Sequence, residues 1–172
     1  MFWNRLASLA LAVVAATAVL ATSSSGCGKT PTLKAGNQAN IQVNGKSRQW
    51  ILHLPTNYDS KRPYRLIFGL HWRNGQYTDV VSGKFYNLEP LSNNSAIFIA
   101  PNGLNSGWAN SNGEDITLLK SILSLVEDDL CVDQTLRYSV GWSYGAAMSC
   151  KFSSLNGTTS LCVYHPPPTI AC

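Results

Sequence analysis

Apolar and polar positions alternate with different periods along this chain, and the periods sort it into elements. Asn40–Val43 and Arg48–Leu54 alternate in polarity on either side of Asn44-Gly45. Two such runs around Asn-Gly predict a β-hairpin. Arg65–Leu70 and Ala96–Ala100 are continuously apolar, the pattern of strands covered on both faces of a parallel sheet. Between them, residues 78–92 carry only partial helical periodicity. From Ile116 to Leu130 the apolar residues fall at 116, 119, 122, 123, 126 and 130, which predicts an amphipathic helix. Asp115 or Asn112 would cap it, and Glu114 with Asp115 would suit its dipole. Tyr138–Val140 is again β-prone, and small residues after it tolerate a helix.

The order of these elements is strand, helix, strand, which predicts an α/β fold with a mostly parallel sheet covered by helices. In such folds the loops at the carboxyl ends of the central strands carry the ligand-binding groups. Two loops qualify. One is His71-Trp72-Arg73-Asn74-Gly75, and the other is residues 104–113 with Trp108. Trp72 and Trp108 are equally suited to form an aromatic wall for a phenolic or sugar ring and to pack beneath their loops. His71 is expected to orient its loop by hydrogen bonding rather than to move protons. His53 is expected to be a structural or surface histidine on an antiparallel edge strand.

The β-prone run leads into Gly141-Trp142-Ser143-Tyr144-Gly145. Gly-x-Ser-x-Gly between a strand and a helix is the nucleophile elbow of α/β-hydrolases, where a sharp turn lifts the serine hydroxyl clear of the sheet. Any side chain at Gly141 or Gly145 would strike a neighbouring element. Ser143 is therefore the candidate nucleophile. The backbone N–H of Tyr144, at the first turn of the following helix, is a candidate oxyanion donor, and the backbone N–H of Trp72 is the second.

Composition narrows the setting. The chain has 172 residues, 45% of them apolar, enough for one core. Its net charge of +4 is scattered without a basic stripe, so nucleic acid is not indicated. Residues 1–21 combine Arg5, an apolar alanine-rich run and Val19-Leu20-Ala21, which predicts a secretory signal peptide and an extracellular product with no membrane attachment after cleavage. In that compartment the five cysteines become disulfide candidates, with the pairing open and an odd one left over. Asn93-Asn94-Ser95 and Asn156-Gly157-Thr158 are glycosylation sequons. Gly28-Lys29-Thr30 mimics the end of a phosphate-binding loop, but Ser23 stands where its first glycine is required.

Several stretches together resemble the secreted fungal feruloyl esterases of types C and D, relatives of acetyl xylan esterases and polyhydroxybutyrate-depolymerase-like esterases. They include Asn44-Gly45-Lys46, Tyr64–Gly69, His71-Trp72, Pro101-Asn102-Gly103, Gly107-Trp108-Ala109-Asn110, Gly113-Glu114-Asp115, Leu130–Asp133 and Gly141–Gly145. The resemblance spans residues 26–149. It implies a secreted serine carboxylesterase, working as a monomer without metal or organic cofactor, that releases ferulic acid from feruloylated arabinoxylan or from small phenolic esters. Ser143 matches the family's nucleophile.

The family's chain continues past the elbow through strands that carry the triad acid and then its histidine. Here His53 and His71 precede Ser143, and His165 follows it with no Asp or Glu after Ser143 to orient it. A serine hydroxyl needs an adjacent base, and that base needs an orienting carboxylate. Asp115 and Asp133 lie on the wrong side of the elbow for the family's order. The expectation is thus a truncated, partial α/β-hydrolase fold: a signal peptide over 1–21, the N-terminal part of the esterase domain over 22–149, and a non-homologous, disordered tail over 150–172. A sheet ending at the elbow strand would leave that strand on an exposed edge. The alternatives are a non-catalytic fragment, either a weak binder of a phenolic or sugar ligand through Trp72 and Trp108 or an unfolded by-product, and, among enzymes, an acetyl xylan esterase.

Overall fold

A computed structural model describes residues 22–163. The signal-peptide reading of residues 1–21, and His165 with the prolines after it, fall outside the described residues.

The hairpin forms where the alternation places it. β1 (Gly36–Val43) and β2 (Lys46–His53) pair antiparallel, Val43 opposite Lys46. Asn44 and Gly45 both take left-handed backbone angles, φ 50° and 75°. Two consecutive positive φ values make the tight turn whose twist matches that of the strands. β3 (Tyr64–Leu70) and β4 (Ala96–Pro101) are the continuous apolar runs, and β5 (Val132–Trp142) leads to the elbow. β5 starts earlier than the β-prone run suggests. Its ladder with β3 is irregular between Tyr64 and Leu66, near Asp133, whose carboxylate takes the N–H and hydroxyl of Thr135.

The sheet has the order β1-β2-β4-β3-β5-β6, where β6 is Thr159–Val163. β2 meets β4 antiparallel; β3 pairs parallel with β4 and β5, and β5 pairs parallel with β6. Two expectations are corrected here. β2 is interior, with β1 outside it, so His53 is not on an edge strand; its Nδ1 lies 2.7 Å from Glu89 Oε1. The boundary at residue 150 falls inside a helix, and residues 159–163 pair with β5, so the elbow strand has neighbours on both sides. The helix continues because Phe152 completes its apolar face, fully buried against Phe68 with ring centroids 5.3 Å apart.

Alternation along β3 divides the core between the two faces of the sheet. Leu66, Phe68 and Leu70 face the larger cluster, with Leu118, Ile122 and Val126 of α3 (Glu114–Asp129) and Met148 and Phe152 of α4 (Tyr144–Asn156). Ile67 faces the smaller one, with Val80, Phe85 and Phe98. That second face is covered by α1 (Tyr77–Ser82) and the short α2 (Leu88–Leu91), which explains the broken periodicity of residues 78–92. Between them Lys84, Phe85, Tyr86 and Asn87 all have φ between 49° and 66°. Four consecutive non-glycine residues in that region carry a backbone cost of roughly 1–2 kcal/mol each.

α3 is capped differently from the expectation. The side chain of Asn110, not Asn112 or Asp115, accepts the N–H groups of Asp115 and Ile116 at 3.1 and 3.0 Å. Cys27 and Cys131 form a disulfide that ties the segment before β1 to the start of β5. Cys150 is also disulfide-bonded.

Candidate active site

β5 runs into α4 with no intervening loop, and the residue at the junction is Ser143, at φ 53° and ψ −115°. A β-carbon is costly in that region, and such strain marks a position where local structure is set by something other than propensity. Serine at a helix N-cap usually accepts an N–H of the first turn. Ser143 makes no such side-chain bond, and it is only partly buried. The turn is this tight because both glycines are in contact with backbone. A β-carbon on Gly141 would lie 2.3 Å from the Gly145 carbonyl carbon, and one on Gly145 would lie 2.2 Å from the Leu70 oxygen and 2.5 Å from the His71 oxygen. The first turn of α4 therefore rests directly on the backbone that leads into Trp72.

That backbone is held from three sides. His71 is fully buried; its Nε2 accepts the Gly103 N–H at 3.0 Å, so its Nδ1–H is the one that donates to the Trp72 carbonyl at 2.9 Å. Burial pushes the His71 pKa below its ordinary value, against the opposing pull of the Trp72 carbonyl and the more distant Asp79 and Asp115. The ring stays neutral, with both nitrogens occupied, which is the loop-orienting role expected from sequence. Trp108 stacks on it at 4.7 Å between ring centroids and donates its indole N–H to the His71 carbonyl at 2.7 Å. The third side is Gly145 itself.

Of the two uses open to Trp108, a substrate-binding wall and packing beneath its loop, the structure shows the packing. Trp108 is 3% exposed and its polar edge is spent on the backbone. An indole whose N–H is needed beneath a loop is drawn into the core, and here that need is the His71 carbonyl. The exposed aromatic beside Ser143 is Trp142, 41% exposed.

In a trans peptide the carbonyl of one residue and the N–H of the next point in opposite directions. Fixing the His71 carbonyl therefore fixes the Trp72 N–H. Among the described residues, no hydrogen bond from the Trp72 N–H or the Tyr144 N–H is present.

Behind this loop lies a buried ion pair. Arg48 Nη2 reaches Asp115 Oδ1 at 2.6 Å and the Asn102 carbonyl at 3.1 Å, while Asp115 Oδ2 accepts the Asn110 N–H at 2.7 Å. Both side chains are 1% exposed. The pair joins β2, the loop carrying Gly103 and the loop carrying Trp108. Asp115 is thus committed to structure. Asp133 is held by Thr135, and neither it nor a histidine among the described residues is hydrogen-bonded to Ser143. Beside Tyr144 opens a cleft of about 220 Å³ lined by Arg73, Asn105, Ser106 and Glu114.

No protein-family model matches the chain. Curated proteins do. The chain is 52% identical over 143 residues to a probable feruloyl esterase C of Aspergillus niger, covering 81% of this chain and 51% of that protein. It is 50% identical over 143 residues to feruloyl esterase C of Emericella nidulans, with the same coverage, and 42% identical over 158 residues to feruloyl esterase D of Neurospora crassa, covering 85% and 54%. It spans about half the length of these relatives. Among solved structures, a ferulic acid esterase of Anaeromyces mucronatus in complex with ferulic acid matches with a TM-score of 0.59 at 16% identity, over 78% of this chain and 59% of that one. An acetyl xylan esterase of Aspergillus awamori matches with a TM-score of 0.55 at 14% identity, over 69% and 47%. These likenesses establish the fold, a partial α/β-hydrolase fold. The chain is a homologue of the fungal feruloyl esterases C and D over most of its own length.

Proposed function

We propose that this protein is a secreted serine carboxylesterase that releases ferulic acid from the arabinose side chains of xylan or from small phenolic esters. The observation that carries the reading is Ser143 at positive φ on the β5–α4 junction, in a chain about half identical to feruloyl esterases C. Secretion is supported by the pattern of residues 1–21 and by the Cys27–Cys131 disulfide. Among the described residues no helix is long and apolar enough to cross a membrane.

In this reading Ser143 Oγ attacks the ester carbonyl as a base takes its proton. The carbonyl oxygen becomes an oxyanion facing the N–H groups of Trp72 and Tyr144, which are backbone donors rather than mobile side chains. Collapse breaks the ester bond. The sugar hydroxyl leaves with the proton, the feruloyl group stays on Ser143, and water releases it as ferulate by the same steps in reverse. His53 and His71 are both engaged elsewhere, so the base belongs outside residues 22–163. No metal or organic cofactor takes part.

Hydrolysis of methyl ferulate by the full-length protein and by its Ser143→Ala variant tests the reading. Loss of activity in the variant supports it, and equal rates remove Ser143 from the mechanism. Comparing acetyl with feruloyl esters separates the acetyl xylan esterase alternative. A second reading, a non-catalytic phenolic or sugar binder, is favoured by the same engagement of both histidines; Trp108, being buried, takes no part in it. Unchanged tryptophan fluorescence at millimolar ferulate would count against that reading.

A further inference from the structure

The strained run at Lys84–Asn87 ends in an arrangement that neither core packing nor helix formation requires. Phe85 is fully buried and accounts for one inward position. Tyr86, the next residue, sits at φ 59° and is only partly buried, yet its hydroxyl is engaged. It donates to the Leu70 carbonyl at 2.7 Å, and the Trp142 backbone lies near enough to offset part of the effect of burial on its acidity. Leu70 is the last residue of β3 paired to β5, opposite Gly141. The hydroxyl therefore sits at the last rung of the β3–β5 ladder, bonded to β3 and beside the backbone of β5.

The chain just beyond each tethered atom gives this contact its meaning. Two residues after Leu70 is Trp72, and two residues after Trp142 is Tyr144. These are the two proposed oxyanion donors, one on the loop after β3 and the other in the first turn of α4. Burial pushes the Tyr86 hydroxyl up to about 12, so it remains a protonated donor at any working pH. A left-handed run of this cost persists only where its surroundings hold it.

We infer that Tyr86 is a positioning residue for ester hydrolysis, its hydroxyl setting the spacing between the β3 and β5 ends and hence between the Trp72 and Tyr144 N–H groups. The inference rests on the serine esterase reading above. It assigns Tyr86 no contact with substrate. Its effect is confined to the transition state, because the spacing matters most when the carbonyl oxygen carries charge.

The test uses the full-length protein with methyl ferulate as substrate and phenylboronic acid as a tetrahedral mimic bound through the nucleophile. Tyr86→Phe keeps the ring and removes the hydroxyl. It is expected to lower kcat about 10- to 100-fold, to leave KM within about twofold, and to weaken the boronic acid by the same factor as kcat/KM. Asn87→Gly relaxes a left-handed position without touching the hydroxyl, and it is expected to raise Tm and leave kcat unchanged. If Tyr86→Phe does not accumulate, the Tyr86→Phe/Asn87→Gly double variant carries the same comparison.

Wild-type kcat and boronic acid affinity in the hydroxyl-free protein overturn the inference. So does an equal loss of kcat in Asn87→Gly, which would assign the effect to the segment rather than to the hydroxyl. Ser143→Ala keeps the two readings apart. An active Ser143→Ala protein defeats the serine mechanism itself, whereas an inactive one beside a fully active Tyr86→Phe protein defeats only the role of Tyr86.

Discussion

The Trp108 indole N–H donates to the His71 carbonyl at 2.7 Å, across 37 residues of sequence. This bond turns a buried tryptophan into a clamp on the peptide whose other end is the Trp72 N–H. Trp108→Phe keeps most of the ring packing and leaves that carbonyl without its partner. The expected cost is about 1–3 kcal/mol of stability, read by urea denaturation. An accompanying fall in kcat on methyl ferulate of about tenfold, with KM little changed, is expected from the loosened donor.

His71 gives the fold a pH dependence whose sign follows from its burial. Its folded pKa lies below the ordinary 6.5, so between those two values the unfolded chain holds more protons than the folded one. Stability therefore rises with pH through that window, is complete above 6.5, and is lost as pH falls below it. Protonating Nε2 would also expel the Gly103 N–H. Thermal denaturation between pH 5 and pH 7.5, run beside His71→Asn, checks this; the variant should lose the slope that His71 contributes.

Removing one member of the Arg48–Asp115 pair leaves the other as an uncompensated buried charge. Asp115→Ala is expected to cost about 3–5 kcal/mol. Arg48→Met/Asp115→Leu should recover much of that, since Arg48 Nε and Nη1 make no hydrogen bond among the described residues and the intact pair is not an especially strong stabiliser. Denaturant midpoints of the three proteins decide it.

Gly145→Ala places a carbon against the Leu70 and His71 backbone, so something must move. The expectation is failure to fold, or at least about a 100-fold loss of activity, in expression trials and the methyl ferulate assay.

The Cys27–Cys131 disulfide closes a span of 104 residues. Replacing both cysteines by alanine should cost about 2–5 kcal/mol, and reduction of the native protein, which also opens the Cys150 disulfide, should cost at least as much. Thermal unfolding with and without reductant reads both.

The sequence exposed those parts of the molecule that depend on local period or on sterics. The hairpin around Asn44-Gly45, the buried runs of β3 and β4, the helix through Ile122 and the elbow glycines all follow from spacing that a single segment carries. Arg48 was half legible: it shares the parity of the buried Trp50 and Leu52, and an arginine on that face demands a carboxylate, but nothing local names Asp115. Trp108 was ambiguous because one side chain suits both a wall and a clamp, and only the position of the His71 carbonyl decides. The left-handed run through Tyr86 left no mark, since Lys-Phe-Tyr-Asn lacks the glycines that announce positive φ. The order of residues 150–163 depends on Phe152 meeting Phe68 and on pairing with β5, both long-range contacts that no local pattern reports.

The central claim is that the Ser143 hydroxyl is the nucleophile, and a covalent label reads it most directly. Incubating the full-length protein with a fluorophosphonate and mapping the adduct by peptide mass spectrometry should place the phosphonyl group on Ser143, with no labelling of Ser143→Ala. An adduct on another residue, or undiminished labelling of the variant, would contradict the account.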